Sequence, residues 1–243
     1  MQRIRIRYAK RGPMRFTSHR DFARAFERAV QRAGVPVAYS HGFTPHPRIS
    51  YASAAPTGVA SEAEYLELAV RRRVEPDQAG KALDAALPPG LDVLDTVEAR
   101  GGSLADRIDA SHWRIELGEV APEDAGRAVA AFLDAPEIMV ERLTKQGRRT
   151  FDTRGPVVRL TSEVAPSGVS GVRCAILDLV IRQVIPSVRP DDVVSGLRVV
   201  ADLEPPVPPR VTRLAQGMLT AQGEFVDPLL ADRDQAATGA PPA

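Results

Sequence analysis

The chain has 243 residues and a single cysteine, Cys174, and this scarcity excludes several kinds of site. One thiol cannot form an internal disulfide, and it cannot supply the three or four thiolates of a Cys-only iron–sulfur cluster. No apolar run approaches the ~20 residues of a membrane-spanning helix. The N-terminus also lacks the apolar stretch of a signal peptide. We therefore expect a cytoplasmic protein with no membrane partner.

Familiar catalytic motifs are missing as well. The sequence has no P-loop, no dinucleotide-binding glycine fingerprint and no Ser or Cys nucleophile motif. Three histidines, His19, His41 and His46, lie close together in sequence, but their spacing matches no standard metal-ligand pattern. A histidine such as His41 or His46 could act as a general acid–base in metal-independent RNA cleavage, whereas His19 could belong to a helix-capping network. We assign no catalytic residue, no metal ligand and no cofactor, and we favour a non-catalytic protein.

Acidic residues are scarce in the first fifty positions. This segment carries eleven Arg and Lys residues against two acids, a local net charge of +9 in a chain whose total is +1. Such a block is typical of polyanion binding, most simply of nucleic acid. A solvated basic face on an ordinary domain is the alternative.

The basic residues follow two periodicities. Residues 3–8 alternate strictly, which predicts a half-buried strand with Arg3, Arg5 and Arg7 on its open face. After Arg15, Ser18 with Asp21 predicts a helix start, and four arginines recur on the face of this helix opposite Phe22, Phe26 and Val30. These four are Arg20, Arg24, Arg28 and Arg32. The stripe could follow a phosphate backbone or be a solvated face, and it need not share a surface with the strand arginines, because a helix covers the apolar side of its sheet.

The order of predicted elements indicates an α+β fold of two tandem ferredoxin-like domains. Strands and helices alternate as βαββαβ in the first half, which is the order of a ferredoxin-like domain, and the second half repeats that order. The single Trp113 is expected to lie in a core. The predicted divisions are a basic domain at 1–100, a linker at 101–111, a second domain at 112–219 and a disordered tail at 220–243.

Several motifs resemble an uncharacterised bacterial family linked to radical-SAM proteins. They are Met14–Asp21, Gly42–Arg48, Ser61–Tyr65, Lys145–Gly147, Phe151–Arg154 and Val188–Pro190. Members of that family occur as the C-terminal part of a radical-SAM protein or are encoded beside one. The resemblance therefore implies a radical-SAM partner, and it leaves the activity open.

Two further segments are candidate sites. In the loop His41–Arg48, two prolines limit the backbone while Gly42, Phe43, His46 and Arg48 offer a turn, a stacking surface and polar contacts suited to a base and a phosphate. A structural loop in which His46 caps backbone groups is the alternative. A second basic patch could line a cleft with the first, although Asp152 with Arg154 could instead form a structural ion pair. It contains Lys145, Arg148, Arg149 and Arg154.

Together these features favour an accessory protein of a radical-SAM system that binds structured RNA, tRNA or rRNA, through its basic N-terminal domain. The alternative is a protein–protein adaptor that docks a radical-SAM partner without nucleic acid. A metal-independent ribonuclease is a third hypothesis.

Overall fold

The computed structural model describes residues 1–144, 147–164 and 174–237, which form an α+β protein with five α-helices. None of the helices in these ranges is both long and apolar enough to span a membrane.

In chain order, the elements are β1 (Gln2–Lys10), α1 (His19–Arg32), β2 (Ile49–Ala52), β3 (Ala60–Val70), α2 (Pro76–Ala86), β4 (Leu91–Glu98), β5 (Ala110–Gly118), α3 (Pro122–Asp134), β6 (Met139–Thr144), β7 (Gly147–Asp152), β8 (Val157–Val164), β9 (Cys174–Arg182), α4 (Pro190–Ala201), β10 (Arg210–Leu219), β11 (Phe225–Val226) and α5 (Leu230–Ala237). Two short 3-10 helices occupy Gly12–Phe16 and Ala105–Arg107.

The chain divides into two compact units, and the division differs from the predicted one. The first unit comprises Met1–Ile108 together with the C-terminal segment from Ala215, and the second comprises Asp109–Leu214. Strand β10 thus begins in the second unit and ends in the first. Residues 101–108, predicted as linker, belong to the first unit, where Leu104 and Ile108 are buried.

The first unit is built on an antiparallel sheet in the order β4-β1-β3-β2. On one face of this sheet, Ile4 and Ile6 of β1 pack with Phe22 and Phe26 of α1 in a continuous core. The Ser18 hydroxyl accepts a hydrogen bond from the Asp21 backbone N–H at 3.2 Å and so caps the start of α1. The predicted cap and buried faces of these two elements are confirmed.

The opposite face of the same sheet is covered, contrary to the predicted open face. Tyr65 of β3 and Val97 of β4 pack there against Leu104, Ile108 and Leu229 in a second buried cluster. Burial of this apolar surface stabilises the arrangement, since removing apolar area from water contributes about 25 cal/mol per Å². The C-terminal segment therefore acts as an additional layer of the first unit.

Residues 220–237, the part of the predicted disordered tail that the structure describes, contain regular elements. After β10 the chain forms β11, which pairs with Met218 and Leu219, and then α5. Leu229 is fully buried, and Asp232 of α5 is almost fully buried. The segment is folded because Leu229 packs against the apolar cluster on the sheet face and Asp232 supplies a carboxylate partner for the buried Arg5. Residues 238–243 lie outside the described ranges.

The second unit contains the sheet order β10-β5-β9-β8 and a separate β6–β7 hairpin. Strands β5, β9 and β8 are antiparallel, and Trp113 of β5 is buried as predicted. Helices α3 and α4 approach closely at Gly196, where an added Cβ would lie 2.7 Å from Cε2 of Phe132 and 2.9 Å from Cγ2 of Thr153. A glycine is required at this crossing because no larger residue fits between the helix and its neighbours.

Candidate nucleic-acid interface

Helix α1 presents a row of unpaired arginines to solvent. Arg20, Arg24 and Arg28 are all exposed, and none of them has a carboxylate partner among the residues that the structure describes. A spacing of four residues places successive Cα atoms of the row about 6 Å apart along the helix axis, at 1.5 Å per residue. The nearest acids form no ion pair with the row within the described ranges: Asp21 accepts the Ser18 hydroxyl hydrogen bond at 2.7 Å, and Glu27 has no ion-pair partner there.

The fourth arginine of this helix is used differently. Arg32 is exposed, and its Nη2 donates a short hydrogen bond to the carbonyl oxygen of Ala86 at the end of α2. This bond ties the C-terminal turn of α1 to the neighbouring helix. The unpaired row on α1 therefore consists of three residues.

The strand arginines do not form the predicted open row. Arg5 is fully buried, and its guanidinium donates two hydrogen bonds to Asp232, at 3.0 and 2.8 Å, and a third to Glu67 at 2.9 Å. Arg3 is exposed and pairs with Glu67 at 3.0 Å, while Arg7 is half-buried and donates to the carbonyl oxygen of Glu62 at 3.0 Å. Strict alternation correctly gave the side on which these residues lie. It did not show that α5 covers that side.

Asp232 is the centre of this buried network. Its carboxylate also accepts hydrogen bonds from Arg107 at 2.7 Å and from the backbone N–H of Arg100 at 2.8 Å. The remaining Arg5 donor reaches the carbonyl oxygens of Gly101 and Gly102. Arg5 is thus satisfied within the fold and is not available to a ligand.

The loop His41–Arg48 is held at its base and exposed at its tip. The backbone N–H of Ser40 donates to the His46 carbonyl oxygen at 2.8 Å, and the His46 N–H returns a bond to the Ser40 hydroxyl at 3.0 Å. The Arg48 N–H donates to the Ala38 carbonyl oxygen at 2.8 Å. Phe43, at the tip, is fully exposed, next to Gly42 at a φ of +133°. His46 therefore has a backbone role in closing the loop, and its imidazole ring is exposed.

The three histidines are not gathered into one site. His19 is exposed at the start of α1 and makes an edge-to-face contact with Tyr51, with ring centroids 5.0 Å apart. Burial, together with the charge of Glu27, raises the pKa of the Tyr51 hydroxyl. His41 and His46 belong to the exposed loop. No group of three or more His, Cys, Asp or Glu side chains able to hold a metal ion occurs in the described ranges.

Arg15 contributes a cation and an aromatic ring beside α1. Its guanidinium lies over the ring of Phe16 at 4.6 Å, and the Phe16 side chain is largely exposed. Arg15 has no acidic partner in the part of the chain that the structure describes. Arg15 itself is half-buried, so the pair places a partly accessible cation and an exposed ring just before the helix.

The predicted second basic patch belongs to the second unit and is partly structural. Arg148 of β7 is exposed and pairs with Glu141 at 2.9 Å, and Arg149 is exposed on the same strand. Arg154 instead donates to the carbonyl oxygens of Val157 at 3.3 Å and Leu133 at 3.2 Å. Lys145 lies outside the described residues.

Asp152 organises the turn that follows β7. Its carboxylate accepts hydrogen bonds from the backbone N–H groups of Ile138 and Arg154 at 2.9 Å and of Gly155 at 2.8 Å. Burial opposes ionisation, but these three donors and the Arg154 charge hold the pKa of Asp152 below its ordinary value. The Asp152 carboxylate therefore accepts hydrogen bonds from backbone N–H groups. The sequence had suggested an ion pair with the Arg154 side chain as one alternative.

Sequence reasoning overlooked a basic run at the end of β3. Arg71, Arg72 and Arg73 are exposed in succession, and only Arg73 has an acidic partner within the described ranges, Glu98 at 3.2 Å. Arg72 lines a groove of about 610 Å³ beside the Gly34–Pro36 turn that follows α1. Three consecutive arginines directly after an alternating strand were the available signal, and the larger N-terminal block obscured it.

The chain belongs to a bacterial family described as uncharacterized protein conserved in bacteria (DUF2344), whose model matches residues 3–190. The expected membership of an uncharacterised bacterial family is thus confirmed, and its link to radical-SAM proteins stays a prediction. No curated protein matches the chain.

Solved structures give only distant likenesses. An unknown protein from Galdieria sulphuraria shares 15% identity over 87% of this chain and 98% of that chain, with a TM-score of 0.25. The first two RRM domains of the yeast poly(U)-binding protein Pub1 share 9% over 86% and 98%, with a TM-score of 0.21. DyPB from Rhodococcus jostii RHA1 shares 10% over 81% and 83%, with a TM-score of 0.21. At these TM-scores the likenesses support no inference about fold or function.

Proposed function

We propose that this protein is a non-catalytic accessory protein that binds structured RNA through the solvent face of α1. The observation that carries the proposal is the row formed by Arg20, Arg24 and Arg28, exposed and without carboxylate partners. Exposed cations that no acid neutralises are free to replace the counterions of a phosphate backbone, and the release of those counterions drives binding.

The helix face suits this role better than the sheet face. RNA-binding domains of the RRM type stack bases on an open four-stranded sheet. In the first unit the equivalent face is covered by α5 and by residues 101–108, and Arg5 on that face forms a buried ion pair with Asp232. The strand order β4-β1-β3-β2 supports a ferredoxin-like interpretation of this unit, with its RNA site moved to the helix layer.

The class of RNA and the partner are the finer parts of the proposal. Contacts with phosphates alone do not read sequence, so the α1 row would select RNA by backbone geometry, as expected for folded RNA such as tRNA or rRNA. A radical-SAM partner is proposed from the family resemblance. Under this proposal the protein presents the RNA to that enzyme.

A charge-reversal variant tests the site. Arg20→Glu, Arg24→Glu and Arg28→Glu combined should weaken the binding of fluorescently labelled tRNA by about 500-fold at 0.1 M salt, because three phosphates contribute a slope near −2.7 in log K against log salt. The measurement is fluorescence anisotropy across a salt series.

The matched control reverses three other exposed arginines. Arg127, Arg198 and Arg210 lie in the second unit, and each already pairs with an acid. Changing all three to Glu alters the net charge equally but should retain the salt slope of the native protein. Equal losses in both triple variants would mean that only net charge matters. Absence of RNA binding by the native protein would favour the adaptor function, to be tested by nuclease-resistant co-purification with a radical-SAM enzyme.

A further inference from the structure

A groove of about 580 Å³ opens beside the base of the His41–Arg48 loop. The loop supplies Ser40, His46 and Arg48 to its lining, and the neighbouring strands supply Arg3, Ser50 and Glu67. All belong to the first unit. The groove is large enough for a small molecule, and its lining combines these hydrogen-bonding side chains with apolar residues such as Pro47 and Ile49.

Arg48 is the uncommitted cation of this groove. Its Nη1 lies 3.8 Å from the sulfur of Met1, and it has no carboxylate partner among the described residues. The other arginine in the lining, Arg3, is neutralised by Glu67 at 3.0 Å. Arg48 therefore offers the groove a guanidinium group that no carboxylate engages within the described residues, as a contact with a phosphate group requires.

Phe43 stands at the tip of the same loop, three residues before His46, with its ring fully exposed. The hydrogen bonds between Ser40 and His46 hold the two ends of the tip together, so the position of the loop is fixed at its base. An exposed aromatic ring on a loop with a fixed base is the usual stacking surface for an unpaired base.

We propose that one unpaired nucleotide binds here, with its phosphate held by Arg48 in the groove and its base reaching out of the groove to stack on Phe43 at the tip of the loop. The inference rests on the proposed RNA binding and assigns separate tasks to two surfaces. The arginines of α1 contact the backbone of a folded RNA without regard to pairing, whereas the groove recognises a nucleotide outside the duplex, such as one in a loop or at a 3′ end. The groove thereby selects which part of a folded RNA is held.

Two labelled RNA hairpins with the same stem test the assignment, both closed by a polyethylene glycol linker in place of a nucleotide loop, one blunt and one with a short single-stranded 3′ extension. The native protein should bind the extended hairpin more tightly. Phe43→Ala should lower its affinity for the extended hairpin by about 5- to 150-fold, since loss of one base–aromatic stack has effects of this size. Affinity for the blunt hairpin should not change.

Two further variants complete the test. Arg48→Gln should selectively weaken binding of the extended hairpin. It should also reduce the slope of log K against log salt for that hairpin by about 0.7, the value for one phosphate on a single strand. Phe16→Ala is the matched control, because Phe16 is also an exposed phenylalanine of the first unit but lies outside the His41–Arg48 loop. It should leave the preference for the extended hairpin intact.

The outcomes separate the two proposals. Equal binding of both hairpins by the native protein, or an unchanged preference in Phe43→Ala and Arg48→Gln, would overturn the groove while leaving RNA binding by α1 in place. If neither hairpin binds, the proposed RNA binding is refuted. A titration with adenosine monophosphate followed by NMR then tests separately whether the groove binds a nucleotide. Chemical-shift changes confined to Phe43, His46, Arg48 and Ser50 would support it as a nucleotide site, and none at millimolar nucleotide would refute it.

Discussion

Removing the buried carboxylate of Asp232 should destabilise the first unit severely. In the Asp232→Ala variant, the guanidinium of Arg5 keeps no accessible surface yet loses both of its hydrogen bonds to the carboxylate. Arg107 and the backbone N–H of Arg100 lose an acceptor at the same time. Water cannot replace these partners without opening the layer formed by α5.

The size of the effect follows from this geometry. Breaking a buried ion pair by removing one partner costs about 3–5 kcal/mol, because the other charge is left uncompensated. The two lost N–H partners add to that cost, while the Arg5 bonds to Glu67, Gly101 and Gly102 persist and limit it. With a denaturant slope near 3 kcal/mol/M, the urea midpoint of the first unit should fall by about 1–2 M.

The assay is urea unfolding by circular dichroism, with amide hydrogen exchange to locate the loss. The amides of β1 and of residues 229–233 should lose protection. Asp234→Ala is the control, because Asp234 lies on the same helix but is exposed, and its change should cost less than about 1 kcal/mol. An Asp232→Ala variant with a midpoint equal to that of Asp234→Ala would refute the buried network and restore the view of this segment as a loose tail.

Two further predictions concern the second unit. Asp152→Asn should lower the free energy of unfolding by about 1–3 kcal/mol at pH 7, since the amide cannot accept all three backbone N–H bonds. The carboxylate, whose folded pKa is lowered, contributes stability that is present above the unfolded value of about 3.9 and is lost as pH falls through the folded value. Urea midpoints of variant and native protein should therefore converge in acid; a constant difference down to low pH would contradict this. Gly196→Ala should destabilise the protein by about 1–2 kcal/mol, because the added methyl group overpacks against Phe132 even though Ala is the better helix former. The control is Gly126→Ala in α3, where a Cβ meets nothing within 4 Å, and it should be neutral or stabilising in thermal unfolding. Equal effects of the two changes would contradict the packing argument.

Local features of the sequence were sufficient to predict the start of α1 and its buried face. The Ser18 cap and the four-residue recurrence of Phe22 and Phe26 act within one or two turns, so their consequences are readable without the rest of the fold. The same holds for the exposed arginines, since the residues opposite a buried face must meet solvent or another layer. For α1, the part of the chain that the structure describes adds no such layer over Arg20, Arg24 and Arg28.

The fate of Arg5 could not be read in the same way. Alternation in β1 shows which side Arg5 occupies, but the partner that covers it, Asp232, lies 227 residues later in the sequence. The segment around Asp232 ends in Ala, Gly and Pro residues, a composition that suggests disorder when taken alone. The packing of Leu229 and the pairing of a buried carboxylate with a buried guanidinium make the segment part of the fold, and no local pattern encodes these distant contacts.

The groove at Arg48 was only half predictable. The sequence indicates an exposed loop that contains an aromatic ring and a cation. The pairing of Arg3 with Glu67, which leaves Arg48 as the unneutralised charge, depends on the register of β1 against β3. The basic run at Arg71 was visible in the sequence, but its place beside the Gly34–Pro36 turn depends on the fold.

The most direct test of the account is the salt dependence of tRNA binding by the native protein and by the combined Arg20→Glu, Arg24→Glu and Arg28→Glu variant. The account predicts that the native slope of log K against log salt is about 2.7 units steeper than that of the variant, while the triple variant at Arg127, Arg198 and Arg210 keeps the native slope. Identical slopes for the native protein and the α1 variant would contradict the assignment of RNA binding to this helix.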